Sequence, residues 1–500
     1  MPCKLKLNIV LALSSFLILA SPACSQPDAV QTSPIEIIQP LASPSDATEV
    51  QVVVHTENPG IPIPSEFLGL SYDDPLLTGD YFDEGNRQYI NLLKNLGNGI
   101  LCFGANNVEY TYWPRSFFSR FKFRNARAVL GSSDIDRMFA FAKKTGWRVI
   151  FGLNLGANEP KMAADLAAYT AGVGKDSLLA FEIGNEPDLF YRNGLRSPNY
   201  AYSNYIQEFN TYLQAIRERV PDAPIAGPVT ASKFSWFSSF LKDEASNIVL
   251  ATNHHYPLDA GSSVSPTDPI YASIENLLSA ATTQRSSDLA RQYANSSQTY
   301  HIPLRFDESN SSYPPKDGLG NTFAAALWGT DYLFNLVERG LTGVNFFGGF
   351  ECHGYTPICS EKGFLGFNVR YHAQPLYYAM LLFHDAAQGR IVPIDINTTL
   401  NVTAHATLGN DDRLRAIIIN KEASQAITVQ IDYGASFNQI SAFRLIAGSL
   451  DAQDGVTFAG GSVNPDGTWF PRQAEQIQPE GATCQVVVPA ASAVEIVFSN

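Results

Sequence analysis

Eight short apolar runs, each bounded by turn residues and followed by enough chain for a helix, constrain this sequence more than any other feature. They are Phe67 to Tyr72, Ile100 to Phe103, Val149 to Leu153, Leu178 to Ile183, Pro224 to Ala226, Val249 to Asn253, Leu304 to Phe306 and Thr342 to Phe347. Short apolar runs of this kind are what strands buried on both faces look like. Amphipathic stretches such as Ile135 to Lys144, Tyr200 to Arg219 and Thr322 to Arg339 lie between them and predict helices. Alternating strands and helices predict an α/β fold with a parallel sheet and right-handed crossovers, and eight repeats favour closure into a (β/α)8 barrel. Past residue 387 the texture changes to short alternating strands, Arg415 to Asn420, Ala426 to Tyr433, Gln439 to Leu445 and Cys484 to Pro489, between Gly, Asn and Asp turns. This predicts an antiparallel β-sandwich, completed by the odd strand Gln51 to His55.

The expected organisation is therefore a signal over residues 1–25, a flexible linker over 26–47, a strand of the sandwich within 48–60, the barrel over 61–386 and the sandwich over 387–500. The leader reading rests on Lys4 and Lys6 followed by the apolar run Leu7 to Ala20, which is too short for a comfortable membrane span. Cys24, after Ser21-Pro22-Ala23, leaves two alternatives open, cleavage or a lipid anchor on that cysteine. Either predicts a secreted or periplasmic protein, or one held at the outer surface. Residues 26–47 are rich in Pro, Ser, Thr and Gln, which supply little core. Cys352 and Cys359 share one predicted loop and can pair in an oxidising compartment, whereas Cys102 and Cys484 fall in strands of different regions. The chain of 500 residues carries a formal net charge of −14, which argues against nucleic acid as a partner because phosphate binding needs a basic face. Nothing matches a P-loop, a dinucleotide fingerprint or a zinc-ligand cluster, and the sequence implies no metal or organic cofactor.

Two of the predicted strands end in acid. Leu178 to Ile183 runs into Gly184-Asn185-Glu186-Pro187, and Leu304 to Phe306 runs into Asp307-Glu308-Ser309-Asn310. On the strand count these are strands four and seven. The C-terminal strand ends of such a barrel form its active face, so Asn185, Glu186 and Glu308 are expected to project into one pocket. A lone Asn-Glu-Pro tripeptide is as often a solvated turn. A second carboxylate changes this, because glycoside hydrolysis needs two carboxyl groups flanking one bond. Glu186 and Glu308 are the candidate catalytic pair.

Acids ending strands four and seven, the Asn-Glu-Pro motif and the appended sandwich together resemble the clan A glycoside hydrolases. More narrowly, the chain resembles glycoside hydrolase family 79, the family of β-glucuronidases and heparanase, from about Val50 to the C-terminus. The motifs that carry this are Phe67-Leu68-Gly69-Leu70-Ser71-Tyr72, Ile183-Gly184-Asn185-Glu186-Pro187, Asn253-His254-His255-Tyr256, Asp307-Glu308-Ser309, Thr322-Phe323-Ala324-Ala325-Ala326-Leu327-Trp328 and Tyr355-Thr356-Pro357-Ile358. The resemblance implies a retaining mechanism with Glu308 as nucleophile and Glu186 as acid and then base, the two carboxyls being only about 5 to 5.5 Å apart. It further implies that Asn185 holds the sugar 2-hydroxyl and that Tyr256 orients Glu308. Asp73 and Asn106 would contact the terminal sugar, and Tyr313 and Tyr355 the uronate carboxylate. In a chain with 22 tyrosines, either can equally be a rim or packing residue.

The chain departs from the family at two places. The resemblance implies an arginine in strand two, where Leu101-Cys102-Phe103-Gly104 stands, and glycine amides after the nucleophile, where Pro314 and Pro315 have no amide hydrogen. Gly318 is the substitute donor if the loop shifts. The principal expectation is an exo-acting retaining β-glucuronidase that removes glucuronate or its 4-O-methyl form from glycans or glycosides. Three alternatives stay open: a heparanase-like endo-glycosidase, a clan A β-glycosidase for a neutral sugar, and a catalytically inactive glycan-binding protein. A cluster of Arg115, Arg120, Lys122, Arg124 and Arg127 follows strand two; such clusters are usually solvated surface, and contact with an anionic glycan is the lesser alternative.

Overall fold

The computed structural model describes residues 34–44, 47–114, 125–362, 369–434 and 437–500. Eight parallel strands close into a barrel: Leu68–Asp73, Ile100–Gly104, Arg148–Leu153, Leu178–Ile183, Ile225–Thr230, Leu250–His255, Leu304–Ser309 and Gly343–Phe347, in that order around the ring. All eight correspond to predicted runs, and nearly every residue in them is buried. These barrel strands are numbered one to eight below.

The helices Ser132–Thr145, Tyr202–Arg217 and Phe323–Glu338 lie where amphipathic stretches predicted them. Five further helices, Arg87–Lys94, Pro160–Gly174, Phe234–Glu244, Ala280–Thr299 and Pro375–Ala386, fill the remaining crossovers and the exit from strand eight. Phe323–Glu338 is buried along almost its whole length, because it lies between the barrel and the second domain. Its first amides donate to Ala452 and Leu450 carbonyls of that domain, which satisfies donors a helix N-terminus leaves unpaired.

The second domain begins directly after Pro375–Ala386 and is a two-sheet sandwich. One sheet runs Glu36–Ile38, Gln473–Ile477, Gln439–Ile446, Ser492–Ser499, Leu414–Asn420, Val402–Leu408 and Arg390–Ile391, and the other Ile394–Asn397, Thr48–Val54, Ile427–Asp432 and Thr483–Val488. Thr48–Val54 turns Val50, Val52 and Val54 into the core between the sheets, as the alternation around Gln51 predicts. The sandwich is not wholly antiparallel: Thr48–Val54 pairs parallel to Ile427–Asp432, and Glu36–Ile38 parallel to Gln473–Ile477. Both strands arrive from before the barrel, so no hairpin fixes their direction.

Glu36–Ile38 also corrects the linker expectation, since part of residues 26–47 is an edge strand bonded to the sandwich. The leader and Cys24 lie outside the described residues, as do Arg115, Arg120, Lys122 and Arg124. Among the described residues no helix is long and apolar enough to cross a membrane. Cys352 and Cys359 are joined in a disulfide, and Cys102 and Cys484 are buried free thiols.

Candidate active site

Strand four ends in a bent tip. Gly184 and Glu186 both have left-handed backbones, with φ of 81° and 49°. A side chain at 184 would meet Leu155 and Glu109, which is why glycine stands there. The left-handed turn is costly for Glu186 and persists because its neighbours are tied down. The Glu186 amide donates to the Val229 carbonyl (2.8 Å) and the Asn185 amide to Glu109 Oε1 (2.7 Å), while Glu109 Oε2 accepts from the Gly156 amide. Asp188, fully buried, accepts from the amides of Ala231, Ser232 and Lys233, which lead into helix Phe234–Glu244.

Strand seven delivers the second carboxylate through a β-bulge. Thr252 lies opposite Arg305 and His254 opposite Glu308, so two steps on strand six match three on strand seven. The same slip occurs against strand eight, where Phe306 faces Val344 and Ser309 faces Phe346. Successive strand residues normally point to opposite faces, and the extra residue turns both Asp307 and Glu308 inward. Ser71 donates its hydroxyl to the Asp307 carbonyl and Ser309 to the His255 carbonyl (2.7 Å), which pins the bulge.

The two glutamates meet. His254 Nδ1 lies 3.0 Å from Glu186 Oε1 and 3.6 Å from Glu308 Oε1, and the three side chains offer atoms all within 4.8 Å of one another. Tyr256 donates to Glu308 Oε1 at 2.8 Å. Burial pushes Glu308 up; His254 opposes this, and the charge of Glu186 adds to it. Like charge this close opposes ionisation of Glu308. Glu186–His254–Glu308 and Cys102–Glu182–Asp307 are each compact enough to share a cation.

The remaining candidates divide into two sets. Asn106, Asn185, Tyr256 and Tyr313 line, with Glu186, a cleft of about 820 Å³ that extends past Arg192, Ser232 and Asp259. Asn185 Nδ2 donates weakly to Asn106 Oδ1 at 3.4 Å, and Tyr313 is 52 % exposed at the rim. Asp73 and Tyr355 are not among the residues that line this cleft. Asp73 accepts from the Asn107 amide (3.2 Å) and is raised by burial. Tyr355 is buried, its ring 6.3 Å from that of Tyr256, and burial followed by the Glu308 charge keeps its phenol protonated.

Gly318 does not serve as the spare amide expected after the prolines, because its N–H donates to Asn321 Oδ1 (2.8 Å) inside its own turn. Sequence reasoning also missed His254, Glu109 and Asp307 as parts of the site. His254 stood in a motif quoted only for resemblance, and its position two residues before Tyr256, on the same strand face, was the available signal.

Glu109, held up to about 7 by burial against its two amide bonds, fixes the tip that carries Asn185 and Glu186. Replacing it with glutamine leaves one carbonyl oxygen for two amides. Glu109→Gln is expected to lower kcat roughly 10- to 100-fold through displacement of the tip. Measured kcat within twofold of wild type would show that the tip holds itself.

The barrel, with acids at the ends of strands four and seven and a tyrosine orienting the second, defines the class: the (β/α)8 glycoside hydrolases. Residues 404–494 match the family model described as the glycosyl hydrolase family 79 C-terminal beta domain. It is 25% identical to a β-glucuronidase of Aspergillus niger over 365 residues, 64% of this chain and 66% of the relative. It is 24% identical to a β-glucuronidase of Neurospora crassa over 84% of this chain and 88% of the relative. Its fold is shared with a 4-O-α-L-rhamnosyl-β-D-glucuronidase from Fusarium oxysporum, solved with Rha-GlcA, at a TM-score of 0.72 and 18% identity, covering 90% of this chain and 99% of that one. A family 51 arabinofuranosidase from Xanthomonas axonopodis superposes at 0.66 with 15% identity, over 90% and 100% of the two chains.

Proposed function

We propose that this protein is a retaining β-glucuronidase that removes terminal glucuronate, or its 4-O-methyl form, from secreted glycans or glycosides. The observation that carries the reading is the buried Glu186–Glu308 pair, with carboxylate atoms within 4.8 Å of one another and Tyr256 on Glu308. In the first step Glu186 gives its proton to the leaving oxygen while Glu308 attacks the anomeric carbon. In the second Glu186 takes a proton from water, which displaces Glu308. Asn185, beside Glu186, supplies an amide for the 2-hydroxyl.

Exo action fits a site in which Glu186 lines the cleft whereas Glu308 and Tyr355 are buried. The β-glucuronidase relatives support the sugar, as do the protonated phenols of Tyr313 and Tyr355, which can donate to a carboxylate. Secretion through the N-terminal leader fits the disulfide.

One observation favours a second reading. Pro314 and Pro315 offer no amide and that of Gly318 is engaged, so a clan A β-glycosidase for a neutral sugar is the alternative. The deciding experiment is hydrolysis of matched aryl β-glucuronide, 4-O-methylglucuronide, glucoside and xyloside by the full chain. The expected result is a uronide preference of roughly 100-fold or more in kcat/KM, with β-anomer product. Preference for glucoside or xyloside moves the function to the second reading, and no turnover with intact glycan binding makes the protein a lectin-like barrel.

A further inference from the structure

Directly beneath the catalytic pair the barrel holds charged groups that the two chemical steps do not touch. The strand-seven bulge turns Asp307 inward beside Glu308, and Asp307 Oδ2 lies 3.6 Å from His254 Nε2, on the opposite ring edge from Glu186. Glu182 of strand four and Cys102 of strand two close the group; the polar atoms of Cys102, Glu182 and Asp307 lie within 4.8 Å of one another, and all three side chains are buried. Ser71 of strand one gives its hydroxyl to the Asp307 backbone, and Thr252 of strand six faces Glu182. Arg305, one step below on strand seven, spends its donors on Asn345 Oδ1 and the carbonyls of Glu66, Phe67 and Leu68. Tyr256 faces Glu308 from the cleft side.

Four buried carboxyls around one imidazole cannot all be ionised. Glycosylation moves one negative charge from Glu308 to Glu186, and hydrolysis of the intermediate moves it back. His254 Nδ1 is within 3.6 Å of both carboxylates, so an imidazolium there faces the charged one in each half-reaction.

We propose that Asp307 is a positioning residue for catalysis: while Glu182 keeps the proton of this lower acid pair, the Asp307 carboxylate holds His254 as an imidazolium between Glu186 and Glu308. Burial alone would neutralise His254, but Glu308 and Asp307 outweigh it and raise the imidazole well above its ordinary value. Burial, and then the charge of Asp307, raises Glu182 well above the carboxylate range, the direction expected of a proton holder. Arg305 reaches neither glutamate, and His254 is left as their cation.

This rests on Glu186 and Glu308 being the catalytic pair, but its direct test needs no substrate. In full-length protein carrying ring-labelled histidine, the His254 signals are assigned by their loss in His254→Gln and followed by NMR from pH 5 to 9. The wild type is expected to stay imidazolium throughout, and Asp307→Asn to titrate to neutral imidazole with a midpoint about 2 pH units or more lower. In activity, Asp307→Asn should lose roughly 10- to 100-fold in kcat at nearly constant KM, with the basic limb moved down. A neutral His254 in the wild type at pH 7 overturns the proposal, as does an Asp307→Asn variant with signal and limbs unmoved. Where Asp307→Asn does not fold, the wild-type titration and Glu182→Gln decide. Glu182→Gln keeps the imidazolium if Asp307 bears the charge, and loses it if Glu182 does, which refutes the assignment.

Discussion

Glu308→Gln is expected to abolish turnover of every glycoside, by roughly 10⁴-fold or more, equivalent to about 5.5 kcal/mol of transition-state stabilisation. The amide is nearly the same size, so Tyr256 and His254 keep a partner and the fold should hold. What is lost is the electron pair that attacks the anomeric carbon. Glu186→Ala should behave differently, because its role depends on the leaving group. A phenyl glycoside needs the proton and should lose about 10²- to 10⁴-fold in the first step. A dinitrophenyl glycoside leaves without it, so its first turnover should survive as a burst, while steady-state turnover falls because no base activates water for the second step. Stopped-flow release of dinitrophenol from both variants makes the measurement. A burst lost equally from phenyl and dinitrophenyl substrates in Glu186→Ala would remove its assignment as the acid.

The Glu186–Glu308 pair could be found from the sequence because strands buried on both faces advertise themselves. Leu178–Ile183 and Leu304–Ser309 read as apolar runs ending in acid, and their ordinal places follow from counting. What surrounds the pair was less visible, for physical reasons. The bulge that turns Asp307 inward exists only in register with strands six and eight, and no single strand encodes it. Glu109 acts from a turn after strand two on the tip of strand four, two strands on in sequence. Helix Ala280–Thr299 is rich in Ser, Thr and Gln, and Pro375–Ala386 is apolar on every face, so neither shows the 3.6-residue stripe of a surface helix. Glu36–Ile38 is three residues in a Pro- and Ser-rich stretch, too short for alternation to register.

The second large effect lies between the two domains. Helix Phe323–Glu338 follows strand seven, and its Tyr332 hydroxyl meets Ser309 Oγ (2.9 Å) and His255 Nδ1 (2.8 Å) at the tips of strands seven and six. One residue before Tyr332, Asp331 turns to the sandwich, where Oδ2 meets Lys421 Nζ at 2.9 Å and Oδ1 meets His405 Nε2 at 3.0 Å. His405 Nδ1 bonds Glu338 at 2.7 Å, so two cations of the sandwich balance two carboxylates of the barrel helix. Burial works against the charge on His405, but Glu338 and Asp331 hold it up at about 9. With the folded value above the unfolded value of about 6.5, this stability is complete below pH 6.5 and is lost as pH rises to 9, about 3 kcal/mol in all. Lys421→Met leaves the Asp331 carboxylate with one of its two cations and should cost about 3 to 5 kcal/mol, whereas adding Asp331→Leu to it should recover most of that. Urea midpoints between pH 6 and 9.5 test both statements: a wild-type midpoint flat across that range, or a Lys421→Met variant as stable as wild type, would mean that the network carries no stability. If the expected loss is found, the sandwich is structurally part of the active site, since the helix it clamps is the one that backs the strand carrying Glu308.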